Sequence, residues 1–257
     1  MIISKLQGGL GNQMFQYAIG RHLSSKYNTK FFLDDNFFNT SNRKLSLDNF
    51  KNTIIDTNIN SIQTIKPFKK IDDNFQYKDI ENPIDINYYL DGYWQSEKYF
   101  EESSDLIRND FQTNEKTLEI INKTPLLDSN TISIHIRRTD YITSNGYHPV
   151  QSLDYYKEAI KLIGDYDYIF VFSDDIDWCK NNLNFRDMIF MENMSEIEDL
   201  FIMSKCKNNI IANSSFSWWG AWLNENKQKK VIAPKLWFGQ QVSLNTLDII
   251  PKNWIKL

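Results

Sequence analysis

From about residue 130 onward, apolar residues fall in short β-branched or aromatic runs, and the stretches between them carry helical periodicity. Residues 131–137, 166–173, 187–191, 209–212 and 230–233 read as strands, and 153–163, 176–183, 196–206 and 216–224 as the helices between them. Ser152 and Ser195 stand where N-caps belong, and Glu198 is placed to complete a capping box with Ser195. Strands and helices alternating in this way predict a doubly wound parallel sheet. Earlier in the chain, residues 2–6 and 30–33 read as strands flanking a helix from about 12 to 27, a βαβ opening. A further strand is expected at 88–94 and a helix over 97–109, whereas 35–85, rich in Asn, Asp, Lys and Thr, predict only loops and short elements. The polar stretch 122–130, containing Pro125, marks a domain boundary and divides the chain into 1–125 and 126–257.

The chemistry lies where strands end. Alternation along 131–137 puts His135 and Arg137 on one face and Ile134 and Ile136 on the other, with Arg138 where the strand frays. Ligands of open α/β sheets bind beyond the carboxyl ends of strands, and the arginine fork matches phosphate oxygens. For Arg138 and Asp140 alone, a surface ion pair is an equal alternative. No such reading accounts for His135 and Arg137, whose burial in a purely structural role would leave desolvated charge unexplained.

Three more clusters obey the same logic. In Gln7-Gly8-Gly9-Leu10-Gly11-Asn12-Gln13, Gly9 and Gly11 let a ligand approach the backbone, and the side-chain amides of Asn12 and Gln13 are expected to be exposed. With Met14 at the third glycine position of a dinucleotide fingerprint and Asp34 or Asp35 near the end of the second strand, an NAD(P)-linked oxidoreductase stays a rival. Asp174, Asp175 and Asp177 offer either a D-x-D metal pair or, in the preferred metal-free form, Asp174 toward a base or ribose. Ser214, Ser215, Phe216 and Ser217 open a helix, where hydroxyls cap amides and the same amides form an anion site. Trp218, Trp219 and Trp222 read mainly as core, with one of them a candidate to stack on a ligand.

Composition narrows the partners. With 257 residues, a net charge of −4 and both signs interspersed, the chain has no basic footprint for nucleic acid. No leader pattern or long apolar run is present, so a cytoplasmic protein without a membrane segment is expected. Cys179 and Cys206 fall inside helical patterns and read as packing, and neither a zinc motif nor a G-x-S-x-G elbow occurs.

Taken together, these motifs resemble the alpha-1,2-fucosyltransferases. The family patterns G-G-L-G-N-Q-M-F-Q-Y-A, H-x-R-R-x-D, F-S-D-D and N-S-[ST]-F-S-W-W are matched from Gly8, His135, Phe172 and Asn213, and the segment from Gly92 to Phe100 is similar to a fifth, with Trp94 for the usual Phe. The resemblance implies a GT-B fold of two Rossmann-like domains facing across a cleft, the first on the acceptor side and the second binding the GDP-sugar. It implies inverting transfer of L-fucose from GDP-β-L-fucose to the 2-hydroxyl of a terminal galactoside, with no metal and no cofactor. Carried over residue by residue, Arg137 would hold the β-phosphate and stabilise the leaving group. His135 and Asp174 would face the nucleoside, Ser214, Ser215, Phe216 and Ser217 the pyrophosphate, and Asn12 the transferred sugar. Gly9, Gly11, Arg138 and Asp140 complete the expected donor set. Tyr93, Trp94 and Tyr147 are candidates to stack on the acceptor; no general base is identified. A location beside membrane-linked glycan intermediates fits such an acceptor. The oxidoreductase leaves the arginine strand without a task, and a binding module without turnover is a third reading.

Overall fold

The computed structural model describes residues 1–59, 68–72, 75–81 and 87–257. The chain divides into two units, Met1–Asn114 with Asn245–Pro251, and Glu115–Leu244 with Lys252–Leu257. In the first, β1 (Ile2–Lys5), β2 (Phe31–Asp34), β3 (Phe68–Asp72) and β4 (Asn87–Asp91) form a parallel sheet in the order β2-β1-β4-β3. Its long helix α1 (Leu10–Lys26) is buried on nearly every side, which explains its weak amphipathic pattern. Where α1 meets α2 (Ser104–Asp110), the buried Asp110 carboxylate accepts from the Tyr17 hydroxyl at 2.8 Å and Arg21 Nε at 2.7 Å.

The second unit opens with α3 (Glu115–Lys123). It continues through β5 (Thr131–Ile136), α4 (Thr139–Ile142), α5 (Leu153–Ile163), β6 (Tyr168–Ser173), α6 (Ile176–Asn182) and β7 (Met188–Phe190). The chain then runs α7 (Glu196–Lys205), β8 (Asn208–Ile210), α8 (Ser215–Leu223), β9 (Val231–Ala233) and β10 (Ile255–Lys256). These strands form one parallel sheet, β10-β9-β8-β5-β6-β7. From the β7 edge that is third, second, first, fourth, fifth and sixth, the doubly wound order. All six residues of the central β5 are buried, as a parallel strand covered on both faces requires. The Ser152 hydroxyl accepts from Tyr155 N, and Ser195 and Glu198 form the expected capping box.

The departures from expectation have local causes. Instead of one helix over 97–109, two short turns, Glu97–Tyr99 and Glu101–Ser103, precede α2, because the buried Phe100 leaves helical geometry at φ −144°. The edge strand β3 buries none of its side chains fully and so shows no alternation, and β10 has only two residues. Residues 60–67, 73–74 and 82–86, part of the stretch expected to be loops, lie outside the described residues. The division into units differs from the expected 125/126 boundary: α3 packs on α7 and so joins the second unit, and Asn245–Pro251 joins the first.

Gly20 shows how closely α1 lies on its sheet: a Cβ there would stand 2.4 Å from Ser4 Oγ and from a ring carbon of Phe31. Alanine normally gains about 1 kcal/mol over glycine inside a helix. Here overpacking of about 1–3 kcal/mol outweighs that gain. Gly20→Ala is therefore expected to lower the midpoint of chemical denaturation, and an unchanged or raised midpoint would show slack in this contact.

Candidate active site

The chain leaves β5 toward β6 on one side and leaves β8 toward β9 on the other, so the turns after these neighbouring strands diverge. In this topology the crevice at the carboxyl edge between two such strands is the usual ligand position. After β5 come Arg137 and Arg138; after β8 come Asn213, Ser214 and the first turn of α8.

Arg137 is gripped from one side. Its Nε and Nη2 donate to the two oxygens of Asp140 at 2.9 and 3.0 Å, and Nε lies 3.2 Å from Asp174. A guanidinium has five N–H groups. A side-on fork to Asp140 takes two of them, leaving the Nη1–Nη2 edge able to meet an anion. Burial works against the Arg137 charge, but the hydrogen bonds to Asp140 and the fields of Asp174 and Asp140 outweigh it and raise the pKa.

The expected Arg138–Asp140 pair is replaced by this one. Arg138 turns the other way, with its guanidinium 3.6 Å from the centre of the Trp178 ring and Nε 3.1 Å from Asp175. This braces the arginine turn against α6, whose N-cap is Asp175, with Asp177 exposed in the first turn. Asp174 accepts from Arg138 N at 2.9 Å, Thr139 N at 3.2 Å and the Thr139 hydroxyl. These bonds fold the turn, so Asp174 braces the arginine loop where the resemblance implied a nucleoside contact.

His135 is 5% exposed, and its ring meets the edge of Phe216 at 5.7 Å. Its Nδ1 is buried without a hydrogen-bond partner, and burial, reinforced by Arg137, pushes its pKa from 6.5 down to about 3. His135 is thus a neutral imidazole beside a fixed cation.

The serine turn differs from a capped helix start. Ser214, the N-cap of α8, makes no side-chain bond to the helix, and the Ser217 hydroxyl turns back to Ser214 O at 3.3 Å. The expected capping is therefore not performed by the Ser214 hydroxyl. Ser215 and Phe216 are half-buried at the same turn. Trp218, Trp219 and Trp222 are buried against one another and Trp254, which removes them as ligand-stacking surfaces.

The first unit has a comparable junction after β1 and β4. Gly8 takes φ +80°, a conformation that favours glycine, and a Cβ there would strike Asn12 Nδ2 at 2.7 Å. Gly9 is the N-cap of α1 and Gly11 is buried inside its first turn. Half-buried Asn12 accepts at Oδ1 from Gln95 Nε2 at 2.9 Å, and Gln16 donates to Gly92 O at 3.0 Å, joining the glycine turn to the segment after β4. The expected exposure of Gln13 is overturned: it is fully buried, donating to Gly8 O and Lys44 O and accepting from Ser46 N. Trp94, at φ +54° and 2% exposed, packs on Tyr99 and presents no face to a sugar, whereas Tyr147 is exposed and half-buried Tyr93 stacks on Phe75. Asp34 Oδ2 accepts from Tyr89 at 2.5 Å and its Oδ1 from Asn36, so the carboxylate that a dinucleotide ribose would need is already engaged. Gln95 lies in the Gly92–Phe100 segment that the sequence singled out without giving it a task, and sequence reasoning missed Arg43, whose guanidinium would lie 4.0 Å from a Cβ on Gly9.

Two parallel-sheet units with such junctions are the GT-B architecture, and the chain is a glycosyltransferase. It belongs to glycosyl transferase family 11, whose model matches residues 1–257. It is 35% identical to the O-antigen biosynthesis glycosyltransferase WbnK of Escherichia coli, over 99% of each chain. It is 33% identical to an alpha-1,2-colitosyltransferase of the same species, over 100% of this chain and 99% of that one. Among solved structures, NodZ alpha-1,6-fucosyltransferase soaked with GDP-fucose shares the fold, with a TM-score of 0.58 at 14% identity over 95% of this chain and 98% of that one. No helix among the described residues is long and apolar enough to cross a membrane.

The neutral His135 has a consequence for stability. Below pH 6.5 the unfolded chain takes up a proton that the folded chain refuses until about pH 3, so its contribution falls as the pH falls. At pH 5 the loss is about 2 kcal/mol. Asp199, pushed up to about 7 by burial, has the opposite slope, so the test compares a variant with the parent protein. His135→Gln should lose less stability between pH 7 and pH 5 than the parent in urea unfolding. Equal losses would mean that His135 is charged in the folded protein.

Proposed function

We propose that this chain transfers L-fucose from GDP-β-L-fucose to the 2-hydroxyl of a terminal galactoside, with inversion and without a metal. The observation that carries the reading is the open Nη1–Nη2 edge of Arg137 at the crevice between the arginine turn and the N-terminus of α8. As the bond from fucose to phosphate breaks, negative charge grows on GDP, and donors already fixed in place stabilise it without reorganising. Arg137 supplies the charge at the β-phosphate. The backbone amides of Ser214, Ser215 and Ser217, with the hydroxyls of Ser214 and Ser215, complete the anion site, with Phe216 and neutral His135 on the nucleoside side. The metal-free form rests on Arg137 and on Asp175, whose carboxylate is engaged by Arg138 and by the first turn of α6.

In this reading the second unit binds the GDP-sugar and the first serves the acceptor. Asp140 orients Arg137. Gly9, Gly11 and Asn12 serve the transferred sugar, with Asn12 turned by Gln95. Tyr93 and Tyr147 are the aromatic faces left for a glycan. The O-antigen relative supports an acceptor that is a cytoplasmic intermediate of a membrane-linked glycan.

The colitosyltransferase relative supports a second reading, with a donor sugar lacking the 3-hydroxyl of fucose. Incubation with GDP-fucose, GDP-colitose, GDP-mannose or UDP-galactose, each with a β-galactoside acceptor and EDTA, separates the two. Release of GDP and a fucosylated product from GDP-fucose alone is expected. A preference for GDP-colitose would replace the donor, and loss of turnover in EDTA would overturn the metal-free form. Arg137→Lys keeps the charge but not the fork, and should reduce kcat by about 100-fold. A near-parental rate in that variant would show that a point charge suffices.

A further inference from the structure

One side chain touches both rims of the crevice. The Arg137 guanidinium lies 5.8 Å from the centre of the Tyr141 ring, and the Tyr141 hydroxyl donates to Asn213 O at 2.8 Å, the carbonyl immediately before the serine turn. The ring also stacks on His148 at 4.7 Å and 14°, and His148 in turn packs on Phe238 at 5.2 Å. That wall is itself fixed, because Gly239 N donates to Tyr147 O at 2.9 Å and Gln241 donates to Asn145 O at 3.1 Å. The Asn213 side chain, held by Gln151 at 3.0 Å and donating to Trp237 O at 2.9 Å, closes the ring of contacts.

We propose that Tyr141 is a positioning residue of the donor site. Its ring backs the Arg137 guanidinium that Asp140 orients, and its hydroxyl holds the serine turn, so the two anion-binding rims keep one spacing. Two donors that must meet the same pyrophosphate need a common anchor, and the pairing of β5 with β8 supplies one only as far as Ile134 and Ile210, beyond which the turns diverge. Aromatic faces attract guanidinium cations, and the stacked His148 holds the orientation of the ring. The inference rests on the GDP-sugar reading above.

The test measures GDP and GMP affinity by calorimetry, because only GDP carries the β-phosphate that Arg137 would meet. The parent protein is expected to prefer GDP. Tyr141→Phe keeps the ring and loses one hydrogen bond, and should reduce that preference by about 5-fold. Tyr141→Leu loses the ring as well and should reduce it by about 25-fold or more, with GMP affinity nearly unchanged. A merely structural tyrosine would weaken both nucleotides alike and leave their ratio intact, which would overturn the proposal. If Tyr141→Leu does not fold, Tyr141→Phe decides alone, and an unchanged ratio overturns it. A parent protein with no preference for GDP would overturn the donor reading and this inference together, whereas a preference that survives both variants overturns this inference only.

Discussion

A parallel sheet leaves an opening at its carboxyl edge only where the chain departs from two neighbouring strands in opposite directions. In the second unit that place lies between β5 and β8, and it dictates the chemistry of the turn after each of them. The turn after β5 must carry a cation into a half-buried position, which is stable only if carboxylates share its charge. Asp140 and Asp174 do so, and Asp174 also folds the loop that holds them. The turn after β8 needs no charge, because backbone amides at a helix start already carry a partial positive one. Two positively polarised turns of different kinds thus follow neighbouring strands.

The first unit, whose parallel sheet has a different strand order, carries different chemistry after its strands. The glycines and the amide of Asn12 follow β1, and the ion pair of Lys5 with Asp91, which Lys70 also meets, joins the carboxyl ends of β1 and β4. Uncharged amides suit hydroxyl groups, which both give and accept hydrogen bonds, whereas an arginine suits an oxyanion. The proposed division of labour between sugar and phosphate rests on this difference between the two junctions.

Much of this was legible in the sequence, for a physical reason. Buried parallel strands such as β5 and β6 write continuous apolar runs, and Ser152 and Ser195 mark helix starts by side-chain chemistry that needs no tertiary partner. The same pattern located the arginine and serine turns. Less legible was which partner each side chain would choose. Arg137 and Arg138 are adjacent, yet one faces the crevice and the other Trp178, and only α6 packed beneath the turn decides between them. Gln13 and Asn12 are equally adjacent; helix geometry sends one into the core and the other toward Gln95. Tyr141 carried no motif at all, because its meaning is its distance from Asn213, seventy-two residues away.

The route of the chain between its two units adds a constraint of another kind. Asp248, which anchors Lys98 and accepts from Tyr77 N, belongs to the first unit but comes after β5–β9 in the chain. Beyond it the chain returns to place β10 on the edge of the second sheet. Neither unit is therefore a contiguous length of polypeptide. On the ribosome, the first unit gains its last internal contacts only after nearly all of the second has been made. A gene cut at the junction between Asn114 and Glu115 would separate two pieces that each lack part of their own structure, so the two halves of this fold must be inherited, and altered, as one.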